Sequence, residues 1–498
     1  MLTEHIRSLV YILFFATLFF VFAQRFACTI TDCGLFKQRR NLWLALTLVA
    51  FLSQSFWLYL VIAIFLLVYV NRHETNPAAL FFFILFVLPV GYIQLPGFGV
   101  LNFIFELSHV RVLSLFVLFP AFLVLRRQSD YIPFGRGGSA DKVLVAYLLL
   151  MSVLYLREFT FTNNLRQIFY LFIDVFLPYI VISRSLKKIQ DFRDALLSLV
   201  LAIMVLAPLS AFESLKTWLV YKSLPDSLGL TSALGGYLAR DGMLRVVVSA
   251  GQSIVLGYLM VVGLGLYLYL QSAIRQKPIR WIGIVLLVIG LITPLSRGPW
   301  IGAVALLIAF IVTGRNPLRR LISMSLMAMF ALFLVTILPG GDKILNLLPF
   351  IGTTDQFNVD YRDRLLTNSM IVMERNLWFG STGYLEEPEM IAMIQGDGIV
   401  DIVNTYLGIG LDRGVIGLSL FVAFFALTAL GIIRGMRLIP NHSSEEYLLG
   451  RALLATLMAI LVIISTVSSI TFIPIVYWSI AGVCVAYAQM SQALSSKQ

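Results

Sequence analysis

Four stretches of this sequence carry residue types suited to binding an anion and moving a proton. Three of them centre on an arginine, namely Arg245, Arg297 and Arg364, and the fourth contains Asp401. Arginine keeps its charge and can hold two phosphate oxygens at once. A carboxylate at the mouth of a partly desolvated cavity can act as a general base. We therefore expect a site that holds a phosphate, with Asp401 as its base.

The segment TPLSRGPWIGAVALL predicts a helix that begins at the second arginine. Pro294 ends the preceding helix, Ser296 is a favourable N-cap, and Pro299 is tolerated in the first turn. Arg297 would then lie at a helix N-terminus, where free N–H groups and the macrodipole favour an anion. The alternative is a tight turn with an interfacial arginine.

Arg245 precedes a run of small residues, SAGQS, which would let a backbone or a ligand approach closely. The alternative is that these small residues serve helix packing. Arg166, Arg245 and Arg297 all lie at predicted outer helix ends, where a lone arginine usually extends to the interface. Three arginines on one face favour a shared binding site, so Arg166 is a further candidate.

The segment DYRDRLLTNSMIVMERNLWFG predicts an amphipathic helix with Asp360 as its N-cap. Its apolar stripe consists of Leu366, Met370, Met373 and Leu377. Arg364 lies on the other side of the helix. Such a helix could rest on a membrane surface or cover a cavity with Arg364 turned inward. The alternative is a solvated, charged face on a docked helix.

The segment VDIVNTYLGIGLDRGVIGL predicts a helix with one small, polar face. At helical spacing that face carries Asp401, Asn404, Thr405, Gly408 and Asp412. It is suited to hydrogen-bonding sugar hydroxyls. Asp401 is the candidate general base, and the alternative is that it caps this helix.

Composition indicates that the elements holding these residues are membrane helices. The 498 residues are 59% hydrophobic and only 13% charged, whereas soluble proteins have about 25% charged residues. We predict an all-α polytopic membrane protein with about 14 transmembrane helices. The run 41–70 is too long for one span, so 15 crossings result if it crosses twice. The predicted spans are 6–23, 41–70, 79–93, 110–125, 142–156, 165–183, 195–212, 246–271, 281–295, 299–313, 321–338, 414–433, 452–468 and 473–489.

Charge distribution predicts the orientation of the chain. The loops 184–194, 272–280, 314–320 and 434–451 are basic and fall on one side, which the positive-inside rule makes cytoplasmic. The loops 213–245, 296–298 and 339–413 would then face outward. Loop 24–40 would be inside with 15 crossings and outside with 14. The positive charge lies in short loops, so it indicates orientation and no nucleic-acid partner.

The outward segment 339–413 is the long polar interruption between two sets of membrane helices, 1–338 and 414–498. Residues 339–400 contain four Lys/Arg and nine Asp/Glu, a net charge of −5 in a chain of net charge +11. We expect a large, partly helical outer loop that closes over the site.

Other polar residues in the apolar segments have two interpretations each. Asp174 lies mid-helix, where an ionisable group is either functional or satisfied by a neighbouring helix. His109, close to Arg111, could line the site or be an ordinary interfacial histidine. Cys28 and Cys33 could pair if their loop is extracytoplasmic. No metal-ligand cluster and no nucleotide-binding motif stands out, so we expect no metal and no cofactor.

The four stretches, in this order, resemble the O-antigen ligase and Wzy-type polymerase superfamily of membrane glycosyltransferases. Arg245 with SAGQS is similar to the family's arginine before a small-residue turn, and SRGPW to its SRG-aromatic segment. The region from Arg364 to FGSTG resembles R-x-x-x-W-x-x-A…P-x-x-G-x-G. The element NTYLGIGLDRGVIGL, with Asn404, Thr405 and Tyr406, resembles HN-x-YL…E-x-G-x-x-GL. The resemblance spans roughly residues 160–490.

The resemblance implies a GT-C-like enzyme in the bacterial inner membrane with its site facing the periplasm. Its donor and acceptor would be glycans linked to undecaprenyl diphosphate, and transfer would need no metal. Arg245, Arg297 and Arg364 would stabilise the departing diphosphate, where fixed positive charge has most effect. Ser296, Asn404, Thr405, Tyr406, Arg166 and His109 would bind substrate. A chain-length-determining copolymerase and a flippase are the implied partners.

The sequence departs from the family pattern in two places, and loss of the family's histidine favours the polymerase branch over the ligase. Val403 occupies the position of the family's histidine, and Thr367 and Asn368 occupy the region of its tryptophan. Asp401 could compensate for the missing histidine. The alternatives are a ligase that transfers glycan to lipid A-core, and a flippase for lipid-linked oligosaccharides. A flippase would show internal repeats and charges through a central cavity.

Overall fold

The computed structural model describes residues 2–97, 99, 102–157, 160–232, 234–240, 242–337, 356–395 and 398–496. The expectations for 339–355, the first part of the outer loop, therefore lie outside the described residues. The described chain is mostly helical with very little sheet.

The first helices are α1 (Leu2–Ile30), α2 (Cys33–Leu52), α3 (Phe56–Asn71), α4 (Pro77–Ile84), α5 (His109–Leu113), α6 (Phe119–Leu125), α7 (Ser139–Tyr155), α8 (Phe161–Leu171), α9 (Leu177–Ser185), α10 (Ile189–Met204) and α11 (Leu206–Lys216). They continue as α12 (Ser223–Leu228), α13 (Ser253–Leu270), α14 (Lys277–Ile292), α15 (Arg297–Val312), α16 (Pro317–Ile337), α17 (Gln356–Arg375), α18 (Pro388–Ile391), α19 (Thr405–Arg437), α20 (Glu445–Ile464) and α21 (Ile473–Ser495). Single π-helical turns, Ser114–Leu118 and Phe172–Phe176, join α5 to α6 and α8 to α9.

Eight helical segments of the described chain are long and apolar enough to cross a membrane, and three shorter apolar segments accompany them. The prediction of an all-α polytopic membrane protein is confirmed. The difficult run 41–70 forms two helices, α2 and α3, that pack against each other. They are separated by Ser53–Ser55, so the structure favours the larger of the two predicted counts.

Helix α13 lies at the centre of the bundle and contacts α10, α14, α15 and α20. Nearly all of its residues are buried, as expected for a helix that is apolar on every side. A Cβ on Gly265 would lie 2.2 Å from the Thr456 hydroxyl on α20, so glycine is required for this approach. The helix begins at Ser253, seven residues later than the predicted span 246–271, because Val248–Ala250 form a separate 3-10 turn.

Two short antiparallel sheets cover one end of the bundle. The strands β1 (Gly91–Pro96), β2 (Phe103–Ser108) and β3 (Thr231–Ser232) form one sheet in the order β2-β1-β3. The strands β4 (Ala239–Arg240) and β5 (Met243–Leu244) form the other. The predicted span 79–93 is wrong at its end, because α4 stops at Ile84 and the chain then extends into β1.

The opposite end of the bundle, which we call the basic end, contains the four loops predicted to be cytoplasmic. Loop 24–40 lies there too: Gln190 donates to the carbonyl of Ile30 at 2.8 Å, and Thr31 donates to Asp194 at 2.5 Å. This is the position expected with 15 crossings. Cys28 and Cys33 form a disulfide at this end, because the turn between α1 and α2 brings their Cα atoms within 4.5 Å. The pairing was expected only if this loop faced outward, whereas the disulfide lies at the end that was predicted to be cytoplasmic.

Buried ion pairs fasten the basic end. Arg39 is 1% exposed and donates to Glu74 at 2.7 Å and to Asp194 at 2.6 Å, which joins α2, the α3–α4 turn and α10. Arg184 at the end of α9 pairs with Asp141 of α7 at 2.6 Å. Each arginine satisfies a buried carboxylate, and the pairs fix how the helices meet.

The mid-helix Asp174 is satisfied by a neighbouring helix. Its carboxylate accepts from the Nη2 atom of Arg111 at 3.0 Å. The Arg111 guanidinium lies 3.7 Å from the centre of the Tyr170 ring. Of the two interpretations of Asp174, the structure agrees with a carboxylate that a neighbouring helix satisfies.

Candidate functional site

The four predicted stretches meet around the loop between α20 and α21, residues 465–472, which we call the site loop. The sequence predicted a membrane helix over 452–468, but α20 ends at Ile464. Residues 465–468 therefore belong to the site loop. Its backbone and hydroxyl groups contact α15, α17 and the chain before α19. The available sequence signal was the hydroxyl-rich run STVSS at 465–469.

Ser296 occupies the N-cap position of α15, as predicted, and Arg297 is the first helical residue. The Ser296 side chain, however, makes no cap hydrogen bond. It is 2% exposed, and its Oγ accepts from Arg245 Nη2 at 3.2 Å. Ser296 therefore connects the first two predicted stretches directly.

The β4–β5 hairpin brings Arg245 to this turn. The backbone N–H of Arg245 donates to the carbonyl of Leu238 at 2.8 Å, just after β5. Arg240 of β4 donates to the carbonyl of Leu295 at 2.5 Å. Leu295 has φ of 50°, in the left-handed region, so the chain turns sharply before α15. The hairpin thus packs directly over the turn that begins α15.

Glu213 holds the segment that follows Arg245. It is fully buried, and one carboxylate oxygen accepts from the N–H groups of Val247 at 3.2 Å and Val248 at 3.1 Å. The other oxygen accepts from the N–H of Val220 at 2.9 Å. Val248 has φ of 48°, a strained conformation for a β-branched residue, which these bonds stabilise. Sequence analysis assigned Glu213 to an outer loop and missed its role as a positioning residue.

Gly298 brings the N-terminus of α15 against the site loop. A Cβ at this position would lie 2.4 Å from the Thr466 hydroxyl, so only glycine allows the contact. The carbonyl of Thr466 accepts from Arg362 at 3.3 Å. Gly298 and Arg362 therefore both contact Thr466 of the site loop.

Arg362, and not Arg364, is the arginine of α17 that turns toward the site loop. Residues two apart on a helix face different directions, and both arginines are exposed. A role for Arg364 in binding the diphosphate stays a prediction. Partial burial lowers the pKa of Arg362, and the nearby Asp401 carboxylate opposes that shift. Arginine stays charged under such a shift because its ordinary pKa lies far above neutral pH.

Helix α17 forms as predicted, but it begins at Gln356, so Asp360 is inside the helix and does not cap it. The docked face contains Tyr361, Leu365 and Met373, which pack against Leu407 and Leu411 of α19. The predicted stripe is largely exposed; its exposed members are Leu366, Met370 and Leu377. The stripe was misassigned because both faces of this helix carry apolar residues. An exposed apolar face still allows the helix to rest on a membrane surface.

Helix α19 begins at Thr405, and the residue that caps it is Asn404. The Asn404 side chain accepts from the N–H groups of Tyr406 at 2.9 Å and Leu407 at 3.2 Å. Asp401 precedes the helix in extended chain, so the predicted helical face does not include it and it is no cap. The carboxylate of Asp401 is exposed and accepts from Ser468 at 3.0 Å.

Thr405 and Tyr406 face the bundle. The Thr405 hydroxyl donates to the carbonyl of Val467 at 2.8 Å and accepts from Ser469 at 3.2 Å. The Tyr406 hydroxyl donates to the carbonyl of Leu461 at 3.0 Å. Both side chains therefore attach α19 to α20 and the site loop, and both are engaged with the protein itself.

A break in α19 holds the segment between α17 and α18. Gly414 has φ of 64° and ψ of −172°, and a Cβ there would lie 2.4 Å from the carbonyl of Trp378. The opened backbone donates from Val415 to the carbonyl of Leu377 at 2.8 Å, and Ser381 donates to Leu411 at 3.0 Å. These bonds dock the segment FGSTG against LDRG of α19. Because α19 continues on both sides of Gly414, the span predicted at 414–433 is part of a longer helix.

Asp412, predicted to share a polar face, instead pairs with its neighbour Arg413 at 3.2 Å. Arg413 also donates to the Tyr147 hydroxyl of α7 at 3.0 Å. Arg413 is a positive charge near the site that was not predicted from the sequence. The feature that could have indicated it is a second charged residue beside Asp412 at the start of an apolar helix.

Arg166 and His109 lie apart from this cluster. Arg166 donates to the carbonyls of Ile104 at 3.0 Å and Phe103 at 2.8 Å, so it fastens β2. His109 is 3% exposed, and its ring nitrogens bond the Tyr59 hydroxyl at 2.8 Å and the carbonyl of Ile84 at 3.1 Å. Neither residue is brought to the site loop, so substrate binding by them stays a prediction.

Comparison with protein families bears on the same region. Residues 282–422 match the family model described as Wzy_C, O-Antigen ligase. This region is similar to the Wzy_C domain. The resemblance to the O-antigen ligase and Wzy-type superfamily is confirmed, and members of this family are glycosyltransferase-like ligases or polymerases. No curated protein matches the chain.

The Wzy_C region contains SRGPW, Arg362, Asp401 and the break at Gly414. Arg245, Glu213 and the site loop lie outside it. The cluster is therefore completed by elements on both sides of the matched region. Because both flanks supply contacts, the site depends on the whole bundle.

The part of the chain that the structure describes contains no group of three or more His, Cys, Asp or Glu side chains that could hold a metal ion. The chemical groups gathered here are guanidinium groups, hydroxyls and one exposed carboxylate. These suit an anion and a sugar hydroxyl. Independence from metal stays a prediction.

Proposed function

We propose that this protein is a polymerase that joins oligosaccharide repeat units carried on undecaprenyl diphosphate, making O-antigen or exopolysaccharide. The confirmed family gives the coarser activity of an O-antigen ligase or polymerase in a membrane. The site end would face the periplasm of a bacterial inner membrane, since the basic end has the charge typical of the cytoplasmic side. A flippase would supply the lipid-linked units, and a copolymerase would set chain length.

The observation that carries the proposal is that Arg362 and Asp401 contact the site loop while Arg245 contacts the start of α15, which packs against that loop. Arg245 reaches Ser296 at 3.2 Å, and Arg362 reaches Thr466 at 3.3 Å beside Gly298. Asp401 reaches Ser468, two residues farther along the same loop, at 3.0 Å. A diphosphate and an acceptor hydroxyl need these two kinds of group close together.

The proposed reaction is a direct displacement. The acceptor sugar hydroxyl attacks the anomeric carbon of the donor while the bond from that carbon to the diphosphate oxygen breaks. Asp401 takes the hydroxyl proton, and the lipid diphosphate leaves with the electron pair. Arg245, Arg297 and Arg362 stabilise the negative charge that grows on the leaving group, and preorganised donors of this kind usually contribute most to catalysis.

Val403 stands where the family has a histidine, and this is a reason to assign the role of base to Asp401. The side chain of Val403 packs with the apolar cluster formed by Tyr361, Leu365 and Leu407. A valine there cannot accept the proton that the family's histidine would take. The hydroxyl of Tyr361 donates to the carbonyl of Asp401 at 3.1 Å, which holds that residue beside the site loop.

The second candidate function is ligation of a finished glycan to another acceptor. It is favoured by the description of the matching family, which is named for the ligase. The two reactions share a donor and differ in the acceptor. The same cluster could serve both, so the acceptor decides between them.

The test is turnover by the purified full-length protein with lipid-linked repeat units. We expect longer lipid-linked glycans and released lipid diphosphate. Growth only on a lipid A-core acceptor would indicate ligase. Movement of the lipid across a bilayer with no new glycosidic bond would indicate flippase and refute the proposal.

Variants locate the activity within the protein. Replacing Arg245 or Arg297 by Ala should abolish polymer while the protein still inserts and accumulates. Arg275→Ala is the matched control, because Arg275 is an exposed arginine at the basic end. Near-normal polymer length in both site variants would contradict the proposed role of these arginines.

A further inference from the structure

A second cationic site lies at the basic end, away from the proposed catalytic cluster. The turn between α15 and α16 and the turn between α19 and α20 enclose a cavity of about 270 Å³. Arg315 and Arg320 line it from the first turn, His442 and Ser443 from the second, and Arg451 from α20. The described residues that line this cavity include no Asp or Glu.

Arg451 is the inner wall of this cavity. Its Nη2 atom donates to the carbonyl of Phe310 at 2.7 Å, and its guanidinium lies 4.2 Å from the centre of the Phe310 ring. Its Nε atom is buried and makes no hydrogen bond within the described chain. A Cβ on Gly314 would lie 2.5 Å from Arg451 Nη2, so the turn passes close to the guanidinium. The Arg451 guanidinium therefore lines a space in which the described lining residues include no carboxylate.

Neighbouring groups increase the attraction for an anion. Helix α20 begins beside the cavity, with Ser444 as its N-cap, so its positive macrodipole end adds to the arginine charges. The nearest first-turn carboxylate, Glu445, is already engaged: it accepts from Arg193 and from the Tyr269 hydroxyl at 2.6 Å. Arg315 and Arg320 are exposed and Arg451 is half-buried, so their charges are accessible to an anion that enters the cavity.

An apolar cavity of about 230 Å³ adjoins the cationic one and shares His442 and Tyr447 with it. Ile433, Met436 and Leu454 form its apolar wall. A polar compartment that opens onto an apolar one matches a phosphate ester attached to a hydrocarbon chain. Basic pockets between membrane helices on the cytoplasmic side bind lipid phosphate groups in this way.

We propose that the cavity formed by Arg315, Arg320, His442 and Arg451 binds a phosphate group, carried by an anionic membrane lipid whose chain occupies the adjoining apolar cavity. The site is separate from the cluster at the site loop and does not depend on the function proposed for it. The bound phosphate neutralises the converging arginines and thereby stabilises the contact between the α15–α16 and α19–α20 turns.

The test uses the full-length protein in neutral detergent, with phosphatidylglycerol, phosphatidylcholine or inorganic phosphate added separately. Lipid retention is measured by native mass spectrometry, and stability by the shift in Tm. We expect retention of phosphatidylglycerol, little retention of phosphatidylcholine, and a rise in Tm with the anionic lipid alone. An equal rise with inorganic phosphate, lost in the same variants, would support the phosphate site with a soluble ligand as its source.

The Arg315→Gln/Arg320→Gln double variant removes two charges without touching the buried Arg451. Its affinity for phosphatidylglycerol should fall about thirtyfold, since each surface arginine contributes roughly 1 kcal/mol to such binding. Arg319→Gln is the matched control: it removes an exposed arginine from the same turn of α16 that does not line the cavity. Equal retention by wild type and double variant, or an equal loss in Arg319→Gln, would overturn the proposal.

Discussion

Two sets of arginines at opposite ends of the bundle are held by different kinds of partner. At the basic end, Arg39 and Arg184 are buried and pair with carboxylates of other helices at 2.6–2.7 Å. At the site end, Arg245 donates to a serine hydroxyl, and Arg362 and Arg240 donate to backbone carbonyls. A hydroxyl or a carbonyl holds an arginine in place without cancelling its charge.

This difference separates arginines that stabilise the fold from arginines that can act on a substrate. Removing one member of a buried ion pair leaves a charge without compensation, which is strongly destabilising. Removing a partly exposed arginine costs less stability, because solvent can reach the groups that it leaves, but it removes positive charge from the site. The comparison therefore predicts losses of stability at one end and losses of activity at the other.

The largest effect should come from breaking the Arg39 pairs. Arg39→Ala would leave Glu74 and Asp194 buried without their cation, a cost of about 3–5 kcal/mol. We expect a strongly reduced yield of folded protein in membranes and a lower Tm after purification. Lys37→Ala on the same helix is the control, since Lys37 is exposed. An unchanged Tm in Arg39→Ala would show that the basic end is not held by these pairs.

The second effect concerns the break in α19. Gly414→Ala would place a Cβ 2.4 Å from the Trp378 carbonyl and would require φ of 64° with ψ of −172°, a region nearly confined to glycine. The segment from Leu377 to Ser381 should then shift, and a misplacement of about 1 Å can cost a hundredfold in rate.

Polymer formation per folded protein measures this effect. Gly431→Ala is the matched control on the same helix, because its Cβ would meet Ala488 at an ordinary 3.5 Å. Wild-type activity in Gly414→Ala would mean that the docked segment does not position the site.

The third prediction compares two arginines of one helix. Arg362→Gln should lower turnover about a hundredfold, as loss of one preorganised donor to developing negative charge typically does. Arg364→Gln should lower it by no more than about threefold, because Arg362 is the one of the two that contacts the site loop and Arg364 is an exposed charge that solvent screens. Both variants should keep the wild-type Tm. A larger loss in Arg364→Gln would favour the sequence-based choice over the orientation in the structure.

The sequence could predict the class of fold and the stretches that meet, because hydrophobic runs and helix signals are local. It correctly placed Ser296 at the start of α15 and predicted helix α17. It could not decide between Arg362 and Arg364, since both faces of α17 carry apolar residues and only docking selects one. The orientation of α17 is determined by its packing against α19.

Contacts between distant segments account for the other errors. Asp401 falls at helical spacing from Thr405, yet Asn404 caps α19 and leaves Asp401 in extended chain against the site loop. Glu213 resembles a loop residue in sequence, but it is buried because three N–H groups from two later segments bind it. No periodicity in the chain indicates such partners.

The smallest effect should come from Ser296→Ala. This change removes the hydroxyl that Arg245 reaches at 3.2 Å while keeping every positive charge of the site. Loss of one hydrogen bond costs about 0.5–1.5 kcal/mol, so turnover should fall roughly threefold to tenfold. Ser323→Ala, on α16 outside the site, is the control, and kcat and KM should be measured separately. A loss as large as that of Arg245→Ala would mean that the hydroxyl itself contacts substrate, whereas no loss would mean that this hydrogen bond does not position Arg245.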